Sequence, residues 1–593
     1  MATAALLPMP RAVFYDVNGD PLAGGFVTTY VPNTSTLKTT WQNENESTPN
    51  ANPITLDAQG SCLLYGEGAY DLAVTDSAGQ AVAAYSGYTV SNGQAVSDFY
   101  TRAQMLLISV PSNVNAIRTS GYYAAGDGGG ALYERLGSAP TYEYFQSADG
   151  AYWGYCFENE INVKQWGMKS DLSADCASLM SSVLTYAAGR PVYIPVGQFR
   201  FNSGVTYTGI VNLRGAGNGC GPGPAAISNT NCSQLVAYFT SGNLLSITSN
   251  YPSILRDFQI NVALANRPQT TGSCGIIVSG PVGSTNANSQ IVGVGFSNVD
   301  IPIKFTRTTQ PHVERCYMDG WGLAGIYIDT SATIEGNGGT IAHNFMFGPA
   351  SVSGSQGPAI YSQVGYIDAH DNLCTGGAGF LNVDATTYPA GGIKCHHNVI
   401  EDYRLYGVRI GSSDGNLISM VQIDHNEFSN VAYFTNVIAA ILVADYNAGT
   451  AYLTDCIIDH NVIRSQMAAG TTYINVGSGT NVIVSHNQCS NVGAAINIGI
   501  AVDGTALLAP VLVSGNTFDG SVTAPYSLKN ISVLRDTNFA FTFATVPTCG
   551  NGSEIYVSDG RLTNSAAFNL TLRNGGTGCI AWRMSGQWLT IMT

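Results

Sequence analysis

Charge is scarce in this chain. Of 593 residues, 24 are Lys or Arg and 39 are Asp or Glu, for a formal net charge of −15. So few basic residues argue against a general nucleic-acid or anionic-membrane surface. No apolar run approaches the length of a membrane span. The opening MATAALLPMPRAVFYD has no charged n-region ahead of a long apolar core, so no secretion signal is expected. Paired cysteines are missing as well. The 13 cysteines are odd in number and hold no CxxC or zinc spacing. Cys374, Cys395, Cys456 and Cys489 fall on apolar repeat positions. They read as small buried residues made in a reducing compartment. The chain has no Ser-His-Asp, HExxH or dinucleotide signature, and Gly126–Gly130 lacks the Lys-Ser/Thr ending of a phosphate loop. No cofactor is expected.

What is present is a repeat. His343-Asn344, Asp371-Asn372, His397-Asn398, His425-Asn426, His460-Asn461 and His486-Asn487 are followed by a degenerate Gly515-Asn516. The asparagines recur at intervals of roughly 26–35 residues, the signature of stacked repeats. Three positions before each stand Ile341, Ala369, Cys395, Ile423, Ile458, Val484 and Val513. Two positions after each stand Met346, Cys374, Ile400, Phe428, Ile463, Cys489 and Phe518. The period before the asparagine is two, so these are strands with one buried face. The alternation breaks at the asparagine, which predicts a turn there, with Asn taking the left-handed conformation. Stacked every ~4.8 Å, its amide can bond the rungs above and below. The fold predicted is all-β, a parallel β-helix with an internal asparagine ladder. A second strand follows each ladder turn: GIYID, AIYS, GFLNVD, GVRI, AILVAD, YINVG and AINIG.

The ends differ from the middle. Residues 1–100 alternate short strands with turn signals and predict a small β domain. Their Asp16–Gly25, Asn52–Gly60 and Tyr70–Gly79 stretches match D-x-x-G-x-P-L-x-G-G, N-P-x-x-L-D-x-x-G and Y-x-x-x-x-x-D-x-x-G. In these the chain resembles the virion-attachment module of short-tailed phage tailspikes. Residues 101–160 resemble the lead-in segment that precedes β-helices in such spikes. Residues 161–201 carry a helix from Cys176 to Ala187 and then VYIPVGQFRF. This resembles the start of the pectate-lyase-like right-handed β-helix, except that Lys169-Ser170-Asp171 stands where the family has Gly-Asp-Gly. The helix is expected to cap the solenoid. Residues 202–530 are the β-helix, and 531–593 resemble the C-terminal β module through which three spike chains interlock. The resemblance implies a homotrimer on a phage virion whose solenoid binds a bacterial surface polysaccharide, without nucleic acid or membrane insertion.

Carboxylates are the lead for chemistry. Ile326 and Ile328 point inward, so Tyr327 and Asp329 point out. By the same parity Phe380, Asn382, Asp384 and Arg409 point out, and Asp445 ends its strand. Asp329 and Asp384 are then two rungs apart, ~9.6 Å at the backbone. The acid and base of inverting glycosidases sit ~6.5–9.5 Å apart, and those of retaining enzymes ~5–5.5 Å. Asp329 and Asp384 are the expected pair for endo-glycosidic hydrolysis, with Glu335 and Glu401 in reserve. Trp321, Tyr327, Phe380, Tyr403 and Tyr406 are expected to offer faces to sugar rings, with Arg409 beside them. A lyase would use Arg409 or Arg404 with Tyr406 instead, and a receptor spike without turnover would use the same aromatic wall. Seven histidines (His343, His370, His396, His397, His425, His460, His486) fall in ladder turns. No second ligand type recurs with them at fixed spacing, so they are expected to pack on one another, and no metal site is expected.

Overall fold

A computed structural model describes the chain except residues 1–4, 7–10, 44–45, 67, 91–99, 220–230, 264–269, 330–336, 349–356, 387, 431–436, 444–452, 466–471, 478, 492–495, 503–510, 520–521, 529–532, 542–545, 547–552, 558–559, 562–572, 575–578, 585–586 and 593. It divides into two compact units: Met1–Tyr100 with Val114–Thr119, and Thr101–Asn113 with Ser120–Thr593.

In the first unit, the strands Ile54–Thr55, Phe26–Tyr30, Gly68–Thr75 and Ala81–Val90 pair antiparallel in that order. Val27, Leu56, Tyr70, Leu72 and Val74 belong to its core. The D-x-x-G motifs are one turn used three times. Asp16, Asp57 and Asp76 each accept from the backbone N–H groups two and four residues on, at 2.8–2.9 Å. The glycine of each motif then takes a positive φ: 88° at Gly19, 67° at Gly60 and 81° at Gly79. Those N–H groups hold the Asp16 and Asp57 carboxyls below the usual carboxylate range.

The second unit is a right-handed parallel β-helix. Three sheets run its length, of 17, 13 and 12 strands. Each rung visits them in turn, as in Thr340–Ala342, Phe345–Phe347 and Ile360–Ser362, before the next begins at Asp368–His370. There are thus three strands per rung, where sequence parity distinguished two. The strand just past the asparagine is three or four residues long through most of the repeat, too short to show an alternation of its own. Helix Ala177–Ala187 buries Met180, Val183 and Leu184 near the start of the solenoid and ends at Ala188 with φ 48°. At the other end the first sheet turns antiparallel, through Glu554–Val557, Cys579–Met584 and Gln587–Met592. Among the described residues, no helix is long and apolar enough to cross a membrane.

The interior carries the ladder. Asn344, Asn372, Asn398, Asn426, Asn461, Asn487 and Asn516 are all buried. From Asn344 to Asn487, each Nδ2 donates to the Oδ1 of the next asparagine at 2.9–3.0 Å. Each backbone N–H donates to that same oxygen at 3.0–3.1 Å. The left-handed residue is the one before the asparagine. His343, Asp371, His397, His425, His460 and His486 have φ of 51–57° and Gly515 has 65°, and the asparagines do not; Arg315 takes the same conformation, at 52°, before Cys316. The reversal of direction falls one residue early because the asparagine must aim its side chain inward to reach its neighbours.

The cysteines beside the ladder are free thiols. Burial pushes Cys316 and Cys456 up to about 12. Cys62, Cys176, Cys232, Cys274, Cys316, Cys374, Cys395, Cys456 and Cys489, all buried, should therefore resist a thiol reagent in the native protein and react once guanidinium unfolds it. Native-state labelling at Cys395 or Cys456, read by mass spectrometry, would contradict the packing.

Candidate functional site

The outer face of the third sheet carries two adjacent rows. Register aligns Lys304, Tyr327, Tyr361, Asn382 and Arg409 in one row. The other holds Thr306 and Asp329 in register. Gln363 follows Ser362, which pairs with Val383, the residue before Asp384. Asp329 and Asp384 therefore lie two strands apart, ~9.6 Å at the backbone, with Gln363 between them.

Their surroundings are built. Lys304 Nζ lies 2.9 Å from Asp329 Oδ2 and 4.9 Å from the centre of the Tyr327 ring. The Tyr327 and Tyr361 rings lie side by side, tilted at 38° with centroids 4.9 Å apart. Arg409 donates to Asn382 Oδ1 at 3.0 Å. Asp384 Oδ1 accepts the Ser413 N–H at 2.8 Å. Asp329 Oδ1 is buried and has no hydrogen-bond partner among the described residues. Burial raises the Tyr327 hydroxyl, and Asp329 and Asp384 add to it. Burial likewise raises Tyr361, followed by Asp384. Both tyrosines thus feel Asp384, and Tyr327 feels both acids.

Four expected sugar platforms are interior instead. Trp321 is 1% exposed, and its Nε1–H donates to Gly357 O at 3.0 Å. Phe380 and Tyr403 are 0% exposed, and Tyr406 is 8% exposed. Parity failed at Phe380 because it precedes the strand Leu381–Asp384, at the corner where the chain enters the sheet. Its backbone is held there by bonds from its N–H to Gly407 O and from the Ile360 N–H to its carbonyl. Tyr403 packs edge-on against buried Phe428, at 6.3 Å. Asn382 is also nearly covered, beneath Arg409. Glu401 belongs to the second sheet and accepts from Thr375 Oγ1 at 3.0 Å, so it is not part of the aspartate row. Glu335 and Asp445 lie outside the described residues. Sequence reading missed Lys304, Tyr361 and Gln363. The IPIKF strand one rung below GIYID carried the signal for Lys304, once aligned to Tyr327.

A separate hollow lies elsewhere. A groove of about 820 Å³ on the first sheet is lined by His312, Thr340, Asp368 and Lys394 along one row, with Tyr366 and Gln310 beside it. Asp368, the acid that lines it, is committed to His396, and Glu314 nearby to His312, each at 2.9 Å. Glu314 and Asp368 are two strands and two residues out of line, farther apart than a glycosidase pair. The groove therefore lacks the in-register pair of acids that the third-sheet row brings together.

A histidine edge runs beside this groove. His370 and His396 stack at 5.1 Å, His397 and His425 at 5.2 Å, His425 and His460 at 5.1 Å, and His460 and His486 at 4.9 Å. Carboxylates lie beside several of them, though at no fixed offset: Asp371 beside His370, Asp424 beside His425 and Asp459 beside His460, with Nδ1 to oxygen at 2.6–2.8 Å. At Asp459 burial pushes the carboxyl up, but hydrogen bonds from Ser485, His460 and His486 outweigh it and hold it below the usual range.

No family model matches the chain, and no curated protein matches it. Solved structures do. A Pantoea stewartii glycan biofilm modifying enzyme, WceF, described as having a bacteriophage tailspike-like parallel β-helix fold, aligns at TM-score 0.41 with 13% identity. That alignment covers 72% of this chain and 61% of WceF, so the chain spans about three fifths of that enzyme's length. The Dettilon tailspike protein aligns at 0.38 with 13% identity, over 73% of this chain and 80% of its own. Tailspike protein 2 of Escherichia coli O157:H7 bacteriophage CAB120 aligns at 0.36 with 13% identity, over 84% and 60%.

Proposed function

We propose that this chain is a phage tailspike that binds a bacterial surface polysaccharide and hydrolyses it internally at the third-sheet face. The observation that carries this reading is the placement of Asp329 and Asp384 on one row, two strands apart, beside the adjacent rings of Tyr327 and Tyr361. At that spacing one carboxylic acid protonates the leaving oxygen while the other carboxylate activates a water, with inversion at the anomeric carbon. The tyrosine pair gives sugar rings an apolar face, and Lys304 and Arg409 give cations for acidic substituents. The N-terminal unit would dock the spike on the virion, and the C-terminal strands would close a homotrimer.

The test is the size of host surface polysaccharide before and after incubation, by size-exclusion chromatography with reducing-end and ultraviolet detection. Shorter polymer with new reducing ends and no ultraviolet signal supports hydrolysis, whereas ultraviolet-absorbing products support a lyase using Arg409. The groove beside Tyr366 favours a second reading, a receptor spike without turnover, which predicts tight binding and unchanged polymer length.

Tyr361→Ala should raise KM by ~10-fold with kcat little changed. It removes an aromatic contact worth on the order of 1 kcal/mol to ground state and transition state alike. Steady-state kinetics on defined oligosaccharides would check this.

A further inference from the structure

We propose that the histidine edge binds divalent transition-metal ions, at Asp459, His460 and His486 and again at His343, His370 and Asp371. Each triad offers three ligand atoms within 4.8 Å of one another. In the upper triad, His460 Nδ1 lies 2.6 Å from Asp459 Oδ2, and His486 Nδ1 lies 3.2 Å from Asp459 Oδ1. In the lower triad, His370 Nδ1 lies 2.8 Å from Asp371 Oδ2, with the His343 ring 5.8 Å from the His370 ring.

Zinc-type bonds to imidazole nitrogen and carboxylate oxygen run ~2.0–2.2 Å, which sets neighbouring ligands roughly 3–3.5 Å apart. The Asp459 contacts are close to that already, so small ring rotations would open the seat. An ion there takes the place of the two Nδ1 hydrogens: on each neutral imidazole the proton moves, by exchange with water, from Nδ1 to Nε2, which frees the Nδ1 lone pair to ligate. Two imidazoles and one carboxylate suit zinc, cobalt, nickel or copper and not calcium or magnesium.

The backbone pre-organises the seat. His460 and His486 hold φ of 52° and 51° on successive rungs. The asparagines that follow them are bonded to each other at 2.9 Å. Ser485 Oγ donates to Asp459 Oδ1 at 2.8 Å, the outer hydrogen bond that orients a ligating carboxylate. Both histidines of the upper triad are exposed, so water or a substrate group can fill the remaining positions.

The test uses the full chain, stripped with EDTA, dialysed and titrated near neutral pH with Co²⁺ followed by visible absorption and with Zn²⁺ followed by calorimetry. The wild type should bind two ions per chain. His460→Asn with His486→Asn should lose one ion, and His343→Asn with His370→Asn the other. Asn tolerates the left-handed backbone, so these variants should keep the native circular dichroism. Ser485→Ala should weaken the upper site by ~10-fold. Should a double variant misfold, His486→Asn or His343→Asn alone must still weaken its own site. A wild type that binds neither ion would overturn the proposal, as would variants that retain the full stoichiometry.

Discussion

Asp329→Asn and Asp384→Asn should each slow polymer cleavage by ~10²–10⁴-fold while leaving polymer binding nearly intact. Asparagine keeps the shape of the side chain and removes its ability to give or take a proton. At position 384 it also keeps the oxygen that accepts the Ser413 N–H, so the local backbone is undisturbed. Position 329 needs a control, because Asp329 is the counter-ion of Lys304. If its role were only to hold that lysine, Lys304→Met would reproduce the loss; if it moves a proton, Lys304→Met should alter KM and the pH profile far more than kcat. The double variant should be little worse than either single one, since the two groups act as a unit. Nuclear magnetic resonance of the first products should show inverted anomers. Full activity in both variants would remove the chemistry from this row, and loss in Glu401→Gln alone would move it to the second sheet.

Asn426→Ala should lower stability by ~3–6 kcal/mol, at ~1–3 kcal/mol for each of two orphaned backbone groups together with lost coupling along the chain of amides. Asn426 Nδ2 donates to Cys395 O at 2.8 Å, and its Oδ1 accepts the Asn398 N–H at 3.1 Å. Neither backbone group has water within reach, because the ladder asparagines are buried. Asn426→Asp should be worse at neutral pH, since a carboxylate faces the Cys395 carbonyl and the Asn461 Oδ1. Burial without donors raises the pKa of that introduced acid in the folded state. The folded form then holds a proton that the unfolded form releases, so stability should fall as pH rises through the folded pKa and recover on acidification. Unfolding rates in guanidinium at two pH values would read both effects. A loss below ~1 kcal/mol for Asn426→Ala would mean the amides do not act as a continuous chain.

The sequence made the ladder legible because one residue type recurs where burial and hydrogen bonding coincide, as the bonds from Asn344 through Asn516 demonstrate. It concealed the middle strand, since three residues such as Phe345–Phe347 carry no period. The burial of Phe380 and Trp321 was equally hidden, because parity holds within a strand and fails at the corners between sheets. The outward row was readable at Tyr327 and Asp329 but not at Lys304. Its place there depends on the register between rungs, which strand alternation alone does not fix. The carboxylates of the histidine edge went unnoticed for a similar reason. Asp371 takes the ladder position that histidine fills on other rungs, whereas Asp424 and Asp459 sit one residue earlier, so no fixed offset recurs.

The ladder also has a sense of direction. Every amide from Asn344 to Asn487 hands one hydrogen to the asparagine of the C-terminal rung and the other back to a backbone carbonyl of the N-terminal one, and its oxygen always faces the N-terminal side, where Cys316 supplies the last N–H. Aligned head to tail, these dipoles add as they do along an α-helix. The solenoid axis therefore carries a polarity that its three parallel sheets do not themselves impose. A rung can be duplicated or deleted and the chain of amides will rejoin, but a segment cannot be grafted in with reversed polarity. Such a molecule changes length only in whole steps, each shifting everything beyond it along the axis by one strand spacing while preserving which face looks outward.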